Sequence, residues 1–289
     1  MMKVEVKSVL NRHRRRDDWF LDEYSVNPYY GCPFSCVYCY TRGTKYGSGR
    51  PGDVKAKANA PEVLARQLRA ESRAGRRGFV ALGTATEPYM PAEAELGLTR
   101  RCLQVISSLR FPVHVLTKSD LVPRDVDLLR EAAERAILPP DLRRRVKGAI
   151  VTVSISTLDP EAARAFEPGA PPPERRLEVV RRLSEEGLAA GVAFIPVLPG
   201  ISDGKEEIDR MIEAAAEAGA SHVFIGALTV PGDVRAAVEG LVSQKYPELL
   251  PTYRELFSSG PYPPGRYQAR LDRVAREACR RHGVRYMLT

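Results

Sequence analysis

Five short apolar runs, Phe79–Gly83, Val113–Thr117, Ala149–Ser156, Val192–Leu198 and His222–Ala227, are each followed by a stretch of helical periodicity. This alternation constrains the fold more than any other feature. Parallel strands need a crossover, and a helix supplies one of the right hand. The helical stretches are Pro61–Ala74, Thr99–Leu109, Asp125–Ala136, Glu174–Glu186, Lys205–Ala218 and Gly265–Arg281. In the second, Leu98, Cys102, Val105, Ile106 and Leu109 form one apolar stripe that docks on a sheet. Pro61 suits a first helical turn, and Gly187 and Gly283 suit stops. With a further strand near Glu23–Tyr29 the units number about six, which fits an open doubly wound sheet or a partial barrel. In either, function collects at the strand C-termini, on the loops after Tyr30, Gly83, Thr117, Ser156 and Leu198.

At 289 residues the chain has room for one large α/β domain. We expect a core domain over residues 1–229 and a C-terminal helical and loop extension over residues 230–289, packed on the core. Two irregular insertions interrupt the pattern. Ile137–Lys147 carries Pro139-Pro140 and a basic tail, and Glu167–Glu174 has a proline-rich centre that cannot be helix. The second is either a stiff substrate-contacting loop or a spacer.

The first residues lack the apolar stretch of a signal peptide, and no later run is long and uncharged enough to cross a bilayer. A soluble cytoplasmic protein is therefore expected. The net charge of +8, with a dense run at Arg12–Arg16, is compatible with an anionic partner such as nucleic acid and equally with solvated basic helix faces.

Of five cysteines, Cys32, Cys36 and Cys39 stand at C-x3-C-x2-C spacing in a loop opened by glycine and proline, which argues against a disulfide framework. Three thiolates on one short loop can ligate three irons of a cubane cluster and leave the fourth iron open to a chelating molecule. Closed structural zinc wants four ligands, and His13, His114, His222 and His282 are scattered. The other class of function open to such a chain is a non-catalytic iron–sulfur or zinc protein that binds nucleic acid through its basic faces. Replacing Cys36 separates the two, because a structural metal holds the fold together.

The run Asn27-Pro-Tyr-Tyr-Gly-Cys-Pro-Phe-Ser-Cys-Val-Tyr-Cys-Tyr-Thr-Arg42 resembles the signature of the radical S-adenosylmethionine (SAM) superfamily, including the aromatic Tyr38 before the last cysteine. Downstream, the segments Gly83–Glu93, Leu116–Asp125, Val153–Thr157 and Pro196–Asp203 follow in the order seen in the branch related to spore photoproduct lyase. The resemblance implies a partial (β/α)6 barrel. It also implies an enzyme that reductively cleaves SAM at a [4Fe–4S] cluster to a 5′-deoxyadenosyl radical, which abstracts hydrogen from an unidentified substrate. An electron donor such as flavodoxin or ferredoxin is implied with it.

By the same resemblance Tyr38 lies beside the adenine, where a flat ring can stack. Thr84 and Thr86 meet the methionine amino end, Lys118 the cofactor carboxylate, and Ser154 the ribose or carboxylate, while Ile195 and Pro196 flank the adenine. Glu87 is an acid in the cofactor site, a ligand for substrate, or a solvated loop carboxylate. Spore photoproduct lyase returns hydrogen from a dedicated cysteine, whereas outside the loop this chain has only Cys102, on an apolar helix face, and Cys279, in the last helix. Thymine-dimer repair is thus disfavoured, and Tyr262 and Tyr267 are the tyrosines considered as substitute donors.

Overall fold

In the computed structural model, residues 1–42 and 53–289 are described. Eleven strands are present among them: β1 (Met2–Val4), β2 (Leu10–Arg12), β3 (Asp22–Val26), β4 (Tyr29–Tyr30), β5 (Lys55–Lys57), β6 (Phe79–Leu82), β7 (Val113–Thr117), β8 (Ala149–Ser154), β9 (Ala189–Val197), β10 (His222–Ala227) and β11 (Arg285–Tyr286). Eight of them form one sheet in the order β11-β10-β9-β8-β7-β6-β3-β2. Within it β3, β6, β7, β8, β9, β10 and β11 run parallel, and only β2 is antiparallel to its neighbour. Each consecutive parallel pair is joined through a helix, so the sheet is a set of right-handed βα units curled into a partial barrel.

The expected helices form within one or two residues, and the expected β7 and β10 form residue for residue. The strand expected over Glu23–Tyr29 stops at Val26. Pro28 cannot donate to the ladder, and the chain turns there into β4, which pairs with β5 in a small second sheet with β1. The Asp159 side chain caps the helix Pro160–Phe166 through the Glu161 amide at 2.8 Å. The proline-rich insertion ends where Pro173 opens the helix Pro173–Glu185, in the first-turn position that tolerates its missing N–H.

Two apolar cores matter for the site. One fills the space between sheet and outer helices, with Val80, Val113, Val151, Val192 and Ile225 from the strands and Cys102 among the helix residues, fully buried. The other lies at the strand C-terminal end. It joins Phe34 of the cysteine loop and Phe166 to Val238, Val242, Tyr253 and Phe257 from the helices Val234–Lys245 and Leu250–Leu256 and the residue after them. Phe166 stacks on Tyr246 with ring centroids 6.3 Å apart. The helix Gly265–His282 packs on the helix Lys205–Glu217 and on β10, and β11 then extends the sheet.

Candidate active site

The cysteine loop follows β4 and is clasped by the segment after Phe166. Val37 donates to the Phe166 carbonyl at 2.8 Å, and Gly169 donates to the Phe34 carbonyl at 3.0 Å. A side chain at Gly169 would come within 2.7 Å of the Pro33 carbonyl, so only glycine allows the two backbones this close. The proline-rich insertion thus braces the cysteine loop, a role that neither of its expected readings included.

Cys32, Cys36 and Cys39 line one cavity of about 420 Å³, in the size range of small-molecule sites. Its other walls come from the strand C-termini: Thr84 and Thr86 after β6, Lys118 after β7, Ser154 on β8, and Ile195 and Pro196 on β9. The cluster and cofactor residues expected from sequence, Tyr38 included, therefore share this cavity. Burial pushes the Cys32 thiol up to about 11, with Glu87 adding to it, and Cys36 up to about 12, against the pull of Lys118. Such thiols are protonated at neutral pH as they stand, so a metal bound by them would displace protons. Among the described residues no three His, Cys, Asp or Glu side chains converge on a single-ion site.

Behind the cavity wall lies a charged network centred on Glu167, which sequence reasoning missed. The Tyr38 hydroxyl donates to Glu167 Oε1, Lys118 Nζ lies 3.7 Å from the same oxygen, and Arg176 Nη2 lies 2.6 Å from Oε2. Burial opposes ionisation of Glu167, but Lys118, Arg176 and the Tyr38 hydroxyl outweigh it and hold the carboxyl below its usual range. Arg176 also donates to the carbonyls of Ser154, at 3.0 Å, and Pro171, at 2.6 Å. Lys118 Nζ in turn donates to Ser154 Oγ at 2.6 Å and sits 5.8 Å from the centre of the Tyr38 ring. Tyr38, Lys118 and Ser154 are thus fixed relative to one another by two side chains more than 45 residues from Lys118.

A second brace is Asn27. Its Oδ1 accepts from the amides of Ala85 and Thr86 at 3.0 and 3.1 Å, and its Nδ2 donates to Thr84 Oγ1 at 3.3 Å. Asn27 lay inside the quoted cysteine-loop run, but nothing local signals its partners. Glu87 is buried, and its carboxylate accepts from the Thr117 hydroxyl, the Tyr89 amide and the Lys118 amide. It therefore ties two loops together, and the solvated reading of this residue does not hold.

The floor of the cavity is neutral. Phe20, from the segment before β3, reaches under the strands beside Trp19, whose ring stacks on Phe224 at 6.3 Å. His114 Nδ1 is 2.9 Å from the Phe20 carbonyl and so carries the proton. Its Nε2 then accepts from Thr152 Oγ1 at 2.7 Å, which leaves that hydroxyl to accept from His222 Nε2 at 2.8 Å. His222 Nδ1 faces the Ser221 hydroxyl at 2.9 Å. Burial pushes His114 down to about 4 and His222 down to about 3, so both rings are neutral at physiological pH. A side chain at Gly191 would fall 2.4 Å from the His222 ring, so β9 needs glycine there.

The tyrosines considered as hydrogen donors are not brought into the cavity. Tyr262 is 68% exposed, and the Tyr267 hydroxyl donates to Asp203 at 2.8 Å. Tyr40 does line it, with its hydroxyl on the Thr84 carbonyl. Cys102 and Cys279 are buried in outer helices and do not line it.

Comparison with known proteins agrees with this picture. An uncharacterized protein of Mycobacterium tuberculosis is 36% identical over 87% of this chain and 72% of its own length. A protein of Pseudomonas phage M6 named radical SAM Nalpha-GlyT isomerase is 22% identical over 86% of this chain and 48% of its own. Among solved structures, spore photoproduct lyase complexed with dinucleoside spore photoproduct superimposes with a TM-score of 0.66 at 15% identity, over 95% of this chain and 80% of that one. A form of the same lyase with AdoMet also bound gives 0.65 at 16%, with the same coverage. The family model of the Radical SAM superfamily matches residues 26–213, well over half of the length. With that match, a partial parallel barrel and three loop cysteines at its strand C-terminal mouth, this chain belongs to the radical SAM superfamily of enzymes.

Proposed function

We propose that the chain binds a [4Fe–4S] cluster through Cys32, Cys36 and Cys39 and uses it with SAM to abstract hydrogen from a substrate held over the cavity. When bound, the cluster supplies the electron that cleaves SAM to a 5′-deoxyadenosyl radical. The observation that carries this reading is the gathering of all three thiols with Thr84, Thr86, Lys118, Ser154 and Ile195 around one cavity. Lys118 provides a fixed positive charge for the SAM carboxylate, held in place by Ser154 and Glu167. Thr84 and Thr86, steadied by Asn27, face the amino end, and Tyr38 and Ile195 flank the adenine. Phe34, which lines the cavity, packs in turn against the helices after Val230. On this reading residues 1–229 handle the cofactor and residues 230–289 close over them.

For the substrate we propose nucleic acid. The net charge of +8 supports it, as does the dinucleoside photoproduct held by the structural neighbour. Thymine-dimer repair is not part of the proposal, since no cysteine outside the loop lines the cavity.

The test is anaerobic reconstitution with iron and sulfide, then dithionite and SAM, with 5′-deoxyadenosine quantified by chromatography. Production that disappears in Cys32→Ala, Cys36→Ala and Cys39→Ala while the fold is kept is the expected result. A filled cluster that neither binds nor cleaves SAM overturns it, as does wholesale unfolding of Cys36→Ala, which marks a structural metal. Stimulation of the cleavage by added oligonucleotide supports the substrate class, and its absence with both DNA and RNA removes it.

A further inference from the structure

The face opposite the cavity carries a second recess that the proposed reaction does not use. It has a volume of about 460 Å³ and lies at the strand N-termini, between the loop before β8, the turns into β9 and β10, and the start of β11. Arg143, Arg144, Arg145, Lys147 and Arg285 line it, and among the described residues no Asp or Glu does. All five are exposed, and among the described residues none of them takes part in an ion pair, although the chain pairs many of its other arginines. What these side chains do bond to is backbone. Arg143 donates to the Leu138 carbonyl at 3.4 Å, and Arg285 to the carbonyls of Arg145 and Leu288 at 3.3 and 3.2 Å.

The inner wall is of a different kind. Ile150, Leu188 and Leu288 are buried, and Ser221 and the neutral His222 stand between them. The recess therefore joins a rim of positive charge to an apolar interior with a few polar atoms, the composition of a small-molecule site rather than of a solvated surface.

The two basic features of the sequence meet on this face. Arg16, from the run Arg12–Arg16, is ion-paired with both Glu23 and Asp141, which fastens that run to the loop carrying Arg143, Arg144, Arg145 and Lys147. The pairing holds Asp141, the acid two residues before Arg143, mainly on Arg16; Arg145 still acts on it through space, but among the described residues none of the three consecutive arginines forms an ion pair. Like charges gathered this closely repel one another, and a bound anion removes that cost. Guanidinium groups suit phosphate because they offer paired donors in a plane.

We propose that this recess is a binding site for a phosphate-bearing ligand of nucleotide size, with its phosphate on the Arg143–Lys147 and Arg285 cations and its apolar part against Ile150, Leu188 and Leu288. The ligand is either a free nucleotide or one residue of a nucleic acid strand, since both present the same phosphate and base. The site is separate from the SAM cavity, and the binding test does not depend on the cluster.

Binding is measured on the full chain by fluorescence anisotropy with two probes, a fluorescent ATP analogue and a short labelled single strand. The double variant Arg144→Gln/Arg145→Gln removes two exposed charges of the recess, and Arg266→Gln/Arg273→Gln removes two exposed charges of the last helix as a control. The recess variant is expected to weaken binding at least about tenfold and to flatten its dependence on log salt by about one to two units, while the control stays within about twofold of the wild type. Saturable, recess-dependent binding of the ATP analogue assigns a free nucleotide. Recess-dependent binding of the strand alone assigns nucleic acid. Equal weakening in the two variants reduces the effect to net charge and overturns the proposal, as does binding of neither probe or binding unchanged by the recess variant.

Discussion

The mouth of the barrel and its middle both bury polar side chains, but the mouth buries ions and the middle buries neutral groups. Glu167 and Arg176 meet at 1% side-chain exposure each, with Lys118 and Tyr38 completing the set. One level down, the Thr152 hydroxyl joins the two neutral rings of His114 and His222, with no charge at all. Buried ions are stable only while every partner is present, because whatever remains after a loss is an uncompensated charge. The neutral set risks only unmet hydrogen bonds. The costlier arrangement stands where the proposed chemistry needs an ammonium and two hydroxyls held in place, and the cheaper one stands where the strands merely need filling.

The sharpest way to break this contrast is Arg176→Met, which strands Glu167 and frees the Ser154 and Pro171 carbonyls. It should cost about 3–5 kcal/mol in denaturant unfolding, and adding Glu167→Gln should recover part of the loss. A cost under about 1 kcal/mol would show that the charge is not supported by its partner. Next comes Thr152→Val, nearly isosteric, which leaves two imidazole nitrogens facing a methyl group. About 1–3 kcal/mol for each stranded nitrogen is expected by the same measurement, and a neutral result would mean that water replaces the hydroxyl.

Acid should then separate the two levels. Unfolded imidazoles take up protons near pH 6.5, whereas the folded His114 and His222 resist until about 4 and about 3. Unfolding therefore binds protons in that range, so this stabilisation is full above pH 6.5 and declines as the pH falls. Between pH 6.5 and 5 it should lose about 1–2 kcal/mol per imidazole. Burial raises Glu87, which works in the opposite sense, so the informative quantity is the difference between wild type and His222→Gln, whose profile should be flatter. Parallel profiles would mean that His222 is not held neutral. The smallest effect is expected for Ser154→Ala, which removes an acceptor from Lys118 and a donor to the Ile195 carbonyl. Stability should fall by about 0.5–1.5 kcal/mol, while titration of the reconstituted enzyme with SAM should show weaker binding. Unchanged SAM affinity would take Ser154 out of the proposed cofactor contacts.

How much of this was legible in the sequence depended on how local the physics is. Val113–Thr117 and His222–Ala227 are mostly apolar runs between turn signals, and they form strands as read. Short polar strands such as Lys55–Lys57 carry no such signal and are set by their neighbours, Met2–Val4 and Tyr29–Tyr30. The cysteines were legible because their spacing is itself the chemistry. Glu167 was not, because its partner Tyr38 lies 129 residues away and a carboxylate beside a proline-rich run looks like any loop residue. The same holds for Asn27, whose value comes from a loop 57 to 59 residues further on.

The threonine at the centre of the barrel has a consequence for how such a chain can change over generations. Thr152 gives its one hydrogen to one histidine and takes a hydrogen from the other, so each of the three residues is acceptable only in the company of the other two. A lineage that alters positions 114, 152 and 222 one at a time must pass through an intermediate with an unmatched group in the interior. These positions should therefore drift as a block among relatives, and a chain that has exchanged one of them should have exchanged its neighbours as well.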